Sequence, residues 1–147
     1  MSKISKTLSK EALYLKKVDP ILGKIIKENL PEIVNDRSVY EDLLSSIISQ
    51  QLSVKAAASI ERKFLTLFKG KVPSIETLLK AKDETLRSAG LSRQKIGYMR
   101  SVATHFKANN LHKRDFHNMT DKEILDTLIP IKGVGTWTVE MLLMFTI

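Results

Sequence analysis

Helix-start signals recur along this chain at intervals too short for anything but a succession of helices. Each consists of a small polar side chain able to accept from the next turn's N–H groups, followed by apolar residues at three- and four-residue spacing. Ser9 opens a helix through Lys17, and Asp19-Pro20 opens a second that Pro31 ends. Ser38 with Glu41 forms a capping box ahead of "EDLLSSIISQQ". Ser53 starts "VKAAASIERKFLTLF", which places Ala57, Ile60, Phe64 and Leu67 on one face before Gly70 and Pro73 break it. Short helices over 75–80 and 83–89 follow, and Ser92 opens a longer one with Ile96, Met99, Ala103 and Phe106 on one side. The polar stretch from Asn109 to Asn118 reads as a loop, and Thr120 with Glu123 is a second capping box. No alternating strand pattern competes, so the expected fold class is all-α, a multi-helix bundle with short connections.

With 147 residues, the chain suits one domain. The sequence divides into N-terminal helices over 1–37 and a helical core over 38–147, with a hairpin at 131–135. No apolar run approaches the roughly 20 residues that a membrane span needs, and the longest, 139–147, contains Glu140. Cysteine is absent, so this chain offers neither disulfides nor a thiolate metal site. His105, His112 and His117 lack ligand spacing. No apolar segment of a signal peptide follows the first lysines, and an intracellular protein is expected. The net charge of +8 is uneven, because residues 53–114 hold fourteen Lys and Arg against four acids. A basic block within a folded segment points to a polyanion, most simply nucleic acid, although a lysine-rich solvated face has the same composition.

"IKGVGTWTVE" joins two helical segments through two glycines one residue apart. An h-x-G-h-G turn of this kind, with h aliphatic, makes a helix-hairpin-helix. The chain must reverse within about four residues, and glycine takes φ values that a Cβ opposes. Exposed N–H groups of Gly133, Val134 and Gly135, with Thr136 opening the next helix and Lys132 adjacent, suit a phosphate at a positive dipole end. Such a clamp holds duplex DNA without reading its sequence. A lone G-x-G would more simply be a tight turn between core helices; the flanking helices and "TWTVE" favour the clamp.

"IPIKGVGTWTVEMLLMF" resembles the helix-hairpin-helix of the DNA glycosylase superfamily, in the branch of the 3-methyladenine (alkylpurine) glycosylases. "YLKKVDPILGKII", "SIISQQLSVKAAASI" and "GLSRQKIGYMRSVA" are similar to further motifs of that branch, in order. The resemblance implies the helix-hairpin-helix glycosylase fold and hydrolysis of the N-glycosidic bond of alkylated purines in duplex DNA. Enzymes acting on a stacked base flip it out and fill the gap. By resemblance Gln51, with Gln50 beside it, is the duplex wedge, while Trp137 and Met141 line the base pocket. Strand-cutting members carry a Schiff-base lysine where Trp137 stands, so a monofunctional hydrolase is implied. Phosphates fall to the hairpin and to Lys55, Arg62, Arg93, Lys95 and Arg100, whereas Lys16, Lys17 and Lys24 belong to a solvated face. The implied cofactor set is empty apart from a monovalent cation held by main-chain oxygens of Ile129, Ile131 and Val134. The implied partner is double-stranded DNA containing alkylated bases, with no membrane. The complete protein is expected to be a monomer, cytoplasmic and nucleoid-associated in a prokaryote or nuclear in a eukaryote.

The family's reaction needs a carboxylate to stabilise an oxocarbenium-like state, on an aspartate roughly twenty residues past the hairpin tryptophan. Ten residues follow Trp137 here, with Glu140 the only acid among them, so that aspartate and the C-terminal helices are expected beyond Ile147. Truncation would leave apolar side chains bare at Leu22, Ile25 and Ile26, and at Leu142, Leu143 and Phe145. Two other readings remain open: a catalytically silent helix-hairpin-helix DNA-binding module, and an all-α domain that binds RNA or an acidic protein.

Overall fold

The computed structural model describes residues 8–27 and 37–147, which fall in two units, residues 1–34 and 35–147. In the first unit, helix α1 (Lys10–Val18) starts at Ser9, whose hydroxyl accepts from the Ala12 N–H at 3.2 Å. Asp19 ends α1 and caps α2 (Pro20–Ile25), its carboxylate accepting from the Ile21 and Leu22 N–H groups at 2.8 and 3.0 Å. Pro20 occupies the first helical position, where no N–H is needed. Helix α2 stops at Ile25, not at Pro31, which lies outside the described residues. Gly23 and the β-branched Ile25 and Ile26 are weak helix formers, and Ile26 is already extended. No residue of either helix is buried.

The second unit carries α3 (Val39–Ser49), α4 (Val54–Leu67), α5 (Ile75–Lys80), α6 (Asp83–Ser88), α7 (Arg93–Ala108), α8 (Asp121–Leu128) and α9 (Thr136–Phe145). Both capping boxes form as the sequence predicts, Ser38 with Glu41 and Thr120 with Glu123. Helix α7 packs against α3, α5 and α6, and α3 also meets α4 and α9. The core follows from two stripes. Leu43, Leu44, Ile47 and Ile48 of α3 face Ile96, Met99, Val102, Ala103 and Phe106 of α7, all nearly inaccessible. Burying each large side chain contributes about 1.5–3 kcal/mol. No strand occurs among the described residues.

Two expectations change. Residues 109–118 are not a loose loop: they form two 3-10 turns, Leu111–Lys113 and Phe116–Asn118. Leu111 and Phe116 are buried, and the Phe116 ring stacks on Phe106 with centroids 6.3 Å apart. Two apolar anchors in a polar run have no period, so pattern reading passes over them. Nor are Leu142 and Leu143 bare: Leu142 is buried against the core and Leu143 packs on it half-buried, while Phe145 is exposed as expected.

Candidate DNA-binding and base-binding site

The turn between α8 and α9 is built from short backbone bonds. The Ile131 N–H donates to Leu128 O at 3.1 Å, and the Val134 N–H donates to Ile131 O at 3.0 Å. Ile131 and Val134 bury their side chains, so the two aliphatic positions of h-x-G-h-G anchor the loop while Lys132, Gly135 and Thr136 remain exposed. Gly133 adopts φ 94°, and a Cβ there would lie 2.3 Å from Cγ of Tyr98 on α7. Gly135 differs from the expectation. Its φ is −105°, and a Cβ would meet nothing within 4 Å. Any need for glycine at 135 therefore comes from outside the folded chain. The Val134 N–H is engaged within the turn, so the candidate phosphate donors narrow to those of Gly133, Gly135 and Thr136. Helix α9 has no side-chain cap there.

Beside this turn lies a cavity of about 370 Å³ lined by Ser46, Ser49, Gln50, Gln51, Trp137, Thr138 and Met141. All four residues singled out as wedge and pocket border it. Gln50 Nε2 donates to Gly133 O at 3.0 Å and so ties the end of α3 to the hairpin. Gln51 has φ 57°, left-handed backbone that a side chain opposes, and is exposed. Trp137 is 68% exposed, although the chain's only tryptophan would ordinarily be core. A packed Trp–Met core pair is thereby excluded, since the indole stands at the cavity rim. Met141, one turn on, is half-buried. Ser46, Ser49 and Thr138 are lining residues that sequence reasoning missed. The serines are the polar side of α3, a signal that no period assigns to a site. Neither Glu140 nor any other carboxylate lines the cavity among the described residues. On α8, Asp126 instead pairs with Lys122 at 2.6 Å.

The basic residues separate by environment. Lys55, Arg62, Arg93 and Lys132 are exposed. Arg100 is a correction: Nη2 bonds Asp83 at 2.5 Å and Ala81 O at 2.7 Å, holding α7 to α6 and its lead-in. Lys95 is half-buried, with Nζ donating to Ile48 O at 2.6 Å, and burial lowers its pKa.

Two helices joined through a buried-aliphatic, exposed-glycine turn, with an indole-rimmed cavity bordered by Gln50 and Gln51 beside it, define a helix-hairpin-helix protein. The description "HhH-GPD superfamily base excision DNA repair protein" matches residues 44–139, and this chain belongs to that superfamily. It is 31% identical over 147 residues to DNA-3-methyladenine glycosylase 1 of Schizosaccharomyces pombe, covering 96% of this chain and 64% of that protein. It is also 31% identical to the Saccharomyces cerevisiae DNA-3-methyladenine glycosylase, covering 85% of this chain and 48% of that one. This chain thus spans only 48–64% of the length of these relatives. Among solved structures, the Bacillus halodurans DNA-3-methyladenine glycosidase superposes with TM-score 0.80 at 31% identity, covering 98% of this chain and 67% of that one. The Schizosaccharomyces pombe 3-methyladenine DNA glycosylase in complex with abasic DNA superposes with TM-score 0.72 at 29% identity, covering 93% and 69%.

Proposed function

We propose that this chain is the helical core of a monofunctional DNA glycosylase that flips alkylated purines such as 3-methyladenine out of duplex DNA and hydrolyses their N-glycosidic bond. The observation that carries the reading is the cavity that gathers Gln50, Gln51, Trp137 and Met141 beside the hairpin. Gly135, Thr136 and Lys132, with Lys55 and Arg93, hold phosphates by dipole and charge. Gln51 enters the duplex where the base leaves. The exposed indole of Trp137 takes the flipped base on its face. Alkylation makes the purine cationic, and cation–π attraction contributes roughly 1–2 kcal/mol once water is excluded. The same charge makes the purine a good leaving group, so the remaining need is a carboxylate for the cationic sugar and its attacking water. No carboxylate lines the cavity among the described residues, and the aspartate that the family resemblance implies would fill that role. Tryptophan at 137 offers no amine for a Schiff base.

Main-chain oxygens of Ile129, Ile131 and Val134 are the candidate ligands for a monovalent cation. Ile131 O already accepts the Val134 N–H, which leaves it one lone pair. No helix among the described residues is long and apolar enough to cross a membrane. An intracellular monomer, in the cytoplasm or nucleus according to its source, is the accompanying proposal. A cavity lined by no carboxylate among the described residues also favours a second reading, a DNA-binding module without catalysis. Base release from 3-methyladenine duplex separates the two, measured with this chain and with a version extended past the expected aspartate. Release by the extended version alone supports the enzyme, and release by neither supports the binding module. Equal release by both would place the catalytic group within residues 1–147, with Glu140→Gln the variant to test. Tighter binding to RNA than to an abasic duplex would contradict both.

A further inference from the structure

Gln51 is the one residue of the proposed wedge that holds left-handed backbone, φ 57°. A non-glycine residue keeps such a conformation only where its surroundings impose it. Two hydrogen bonds tie that stretch to distant parts of the sequence. Gln50 Nε2 donates to Gly133 O, and Lys95 Nζ donates to Ile48 O at 2.6 Å from the first turn of α7. Ile48 O belongs to the last turn of α3, where carbonyls lack intrahelical partners and the negative end of the helix dipole lies. Lysines that meet phosphates normally keep their ammonium in water. The Lys95 ammonium is instead drawn in, and its pKa is lowered by the loss of water. One turn on, Tyr98 packs beneath Gly133. The first turns of α7 therefore touch both the end of α3 and the hairpin.

We propose that Lys95 is a positioning residue for the wedge. Its ammonium, bonded to Ile48 O, fixes the end of α3 so that Gln51 keeps its left-handed conformation, and it does not contact phosphate. The wedge role itself rests on the function proposed above.

The test compares the unchanged chain with Lys95→Met and Lys95→Arg. Amide hydrogen exchange is read at Gln50 and Leu52, which donate to Ser46 O and Ser49 O at 3.1 Å each. Binding to abasic and undamaged duplexes is read across a salt series. Lys95→Met should raise exchange at Gln50 and Leu52 about tenfold and leave α5 and α6 unaltered. It should also narrow the preference for abasic DNA several-fold while the salt slope stays the same, and Lys95→Arg should restore both. Unchanged exchange at those amides overturns the proposal. So does a salt slope smaller by about one, the signature of a lost phosphate contact. Loss of protection throughout α3 and α7 would make Lys95 a general structural residue and overturn it as well. If the unchanged chain binds no DNA, the proposed function fails alone, because exchange still decides whether Lys95 holds the end of α3.

Discussion

The two hairpin glycines carry different constraints. Gly133 combines φ 94° with a Tyr98 ring where a Cβ would stand, so Gly133→Ala should lose roughly 2–4 kcal/mol in denaturant unfolding. Adding Tyr98→Ala should relieve the clash but not the backbone strain. Gly135 has ordinary φ and open space, so Gly135→Ala should stay within about 0.5 kcal/mol of the parent. The same methyl should weaken duplex DNA binding, because it stands at the proposed phosphate contact; unchanged affinity would remove Gly135 from the proposed site. Gln51→Gly tests the wedge in the opposite sense. Glycine accepts φ 57° freely, so stability should rise by about 1 kcal/mol while discrimination of abasic from intact duplex is lost.

At the scale of elements, α8 aims the hairpin, and its capping box holds its start. The Thr120 N–H donates to Glu123 Oε2 at 2.8 Å, and the Glu123 N–H to Thr120 Oγ1 at 3.3 Å. The Thr120 N–H, followed by its hydroxyl, holds the Glu123 carboxyl below its usual pKa. A carboxylate depressed in the folded state adds stability above its unfolded pKa, and loses it as pH falls through the folded one. Thr120→Ala should therefore destabilise the fold at neutral pH, by removing the cap of α8 and the hydroxyl that accepts from the Glu123 N–H. Glu123→Gln should remove part of the loss of stability seen below roughly pH 4; acid profiles identical to the parent's would show that the box contributes nothing. Helix α9 separates its faces: Val139 and Leu142 are buried, whereas Trp137 stands out. Trp137→Ala should leave the melting temperature nearly unchanged, and the extended chain should then lose release of alkylated bases. A large drop in melting temperature would return Trp137 to the core.

For the whole molecule, the basic block over 53–114 forecasts how affinity responds to ions. Doubling the salt should weaken duplex binding several-fold through counterion release, whatever the sequence of the duplex. Affinity indifferent to salt would sink the nucleic-acid assignment. The block is also internally divided, since Arg100 ties α7 to α6 and Lys95 closes the end of α3, leaving fewer basic groups for phosphates than the composition suggests.

Periodicity and caps made the helices of the core legible, because a helix start is a local contract between one side chain and the next turn's N–H groups. Ser38, Ser53, Ser92 and Thr120 all cap where the sequence predicts, and the inward stripe of α7 is buried as read. The hairpin was equally legible, since its glycines are separated by a single residue and its anchors are aliphatic. What no local pattern carried were contacts between residues far apart. The Gln50–Gly133 bond spans 83 positions, and the Lys95–Ile48 bond spans 47. Tyr98 beneath Gly133 singles out one glycine of two identical letters, and Leu111 and Phe116 turn a polar run into packed core. The sequence by itself determined which segments become helices and where the chain reverses, because those choices are settled within one turn of backbone. Only tertiary packing decided which cations stay in water, which glycine is indispensable to the fold, and that Gln51 and the indole share one cavity. Burial and long-range hydrogen bonding arise only when distant segments meet.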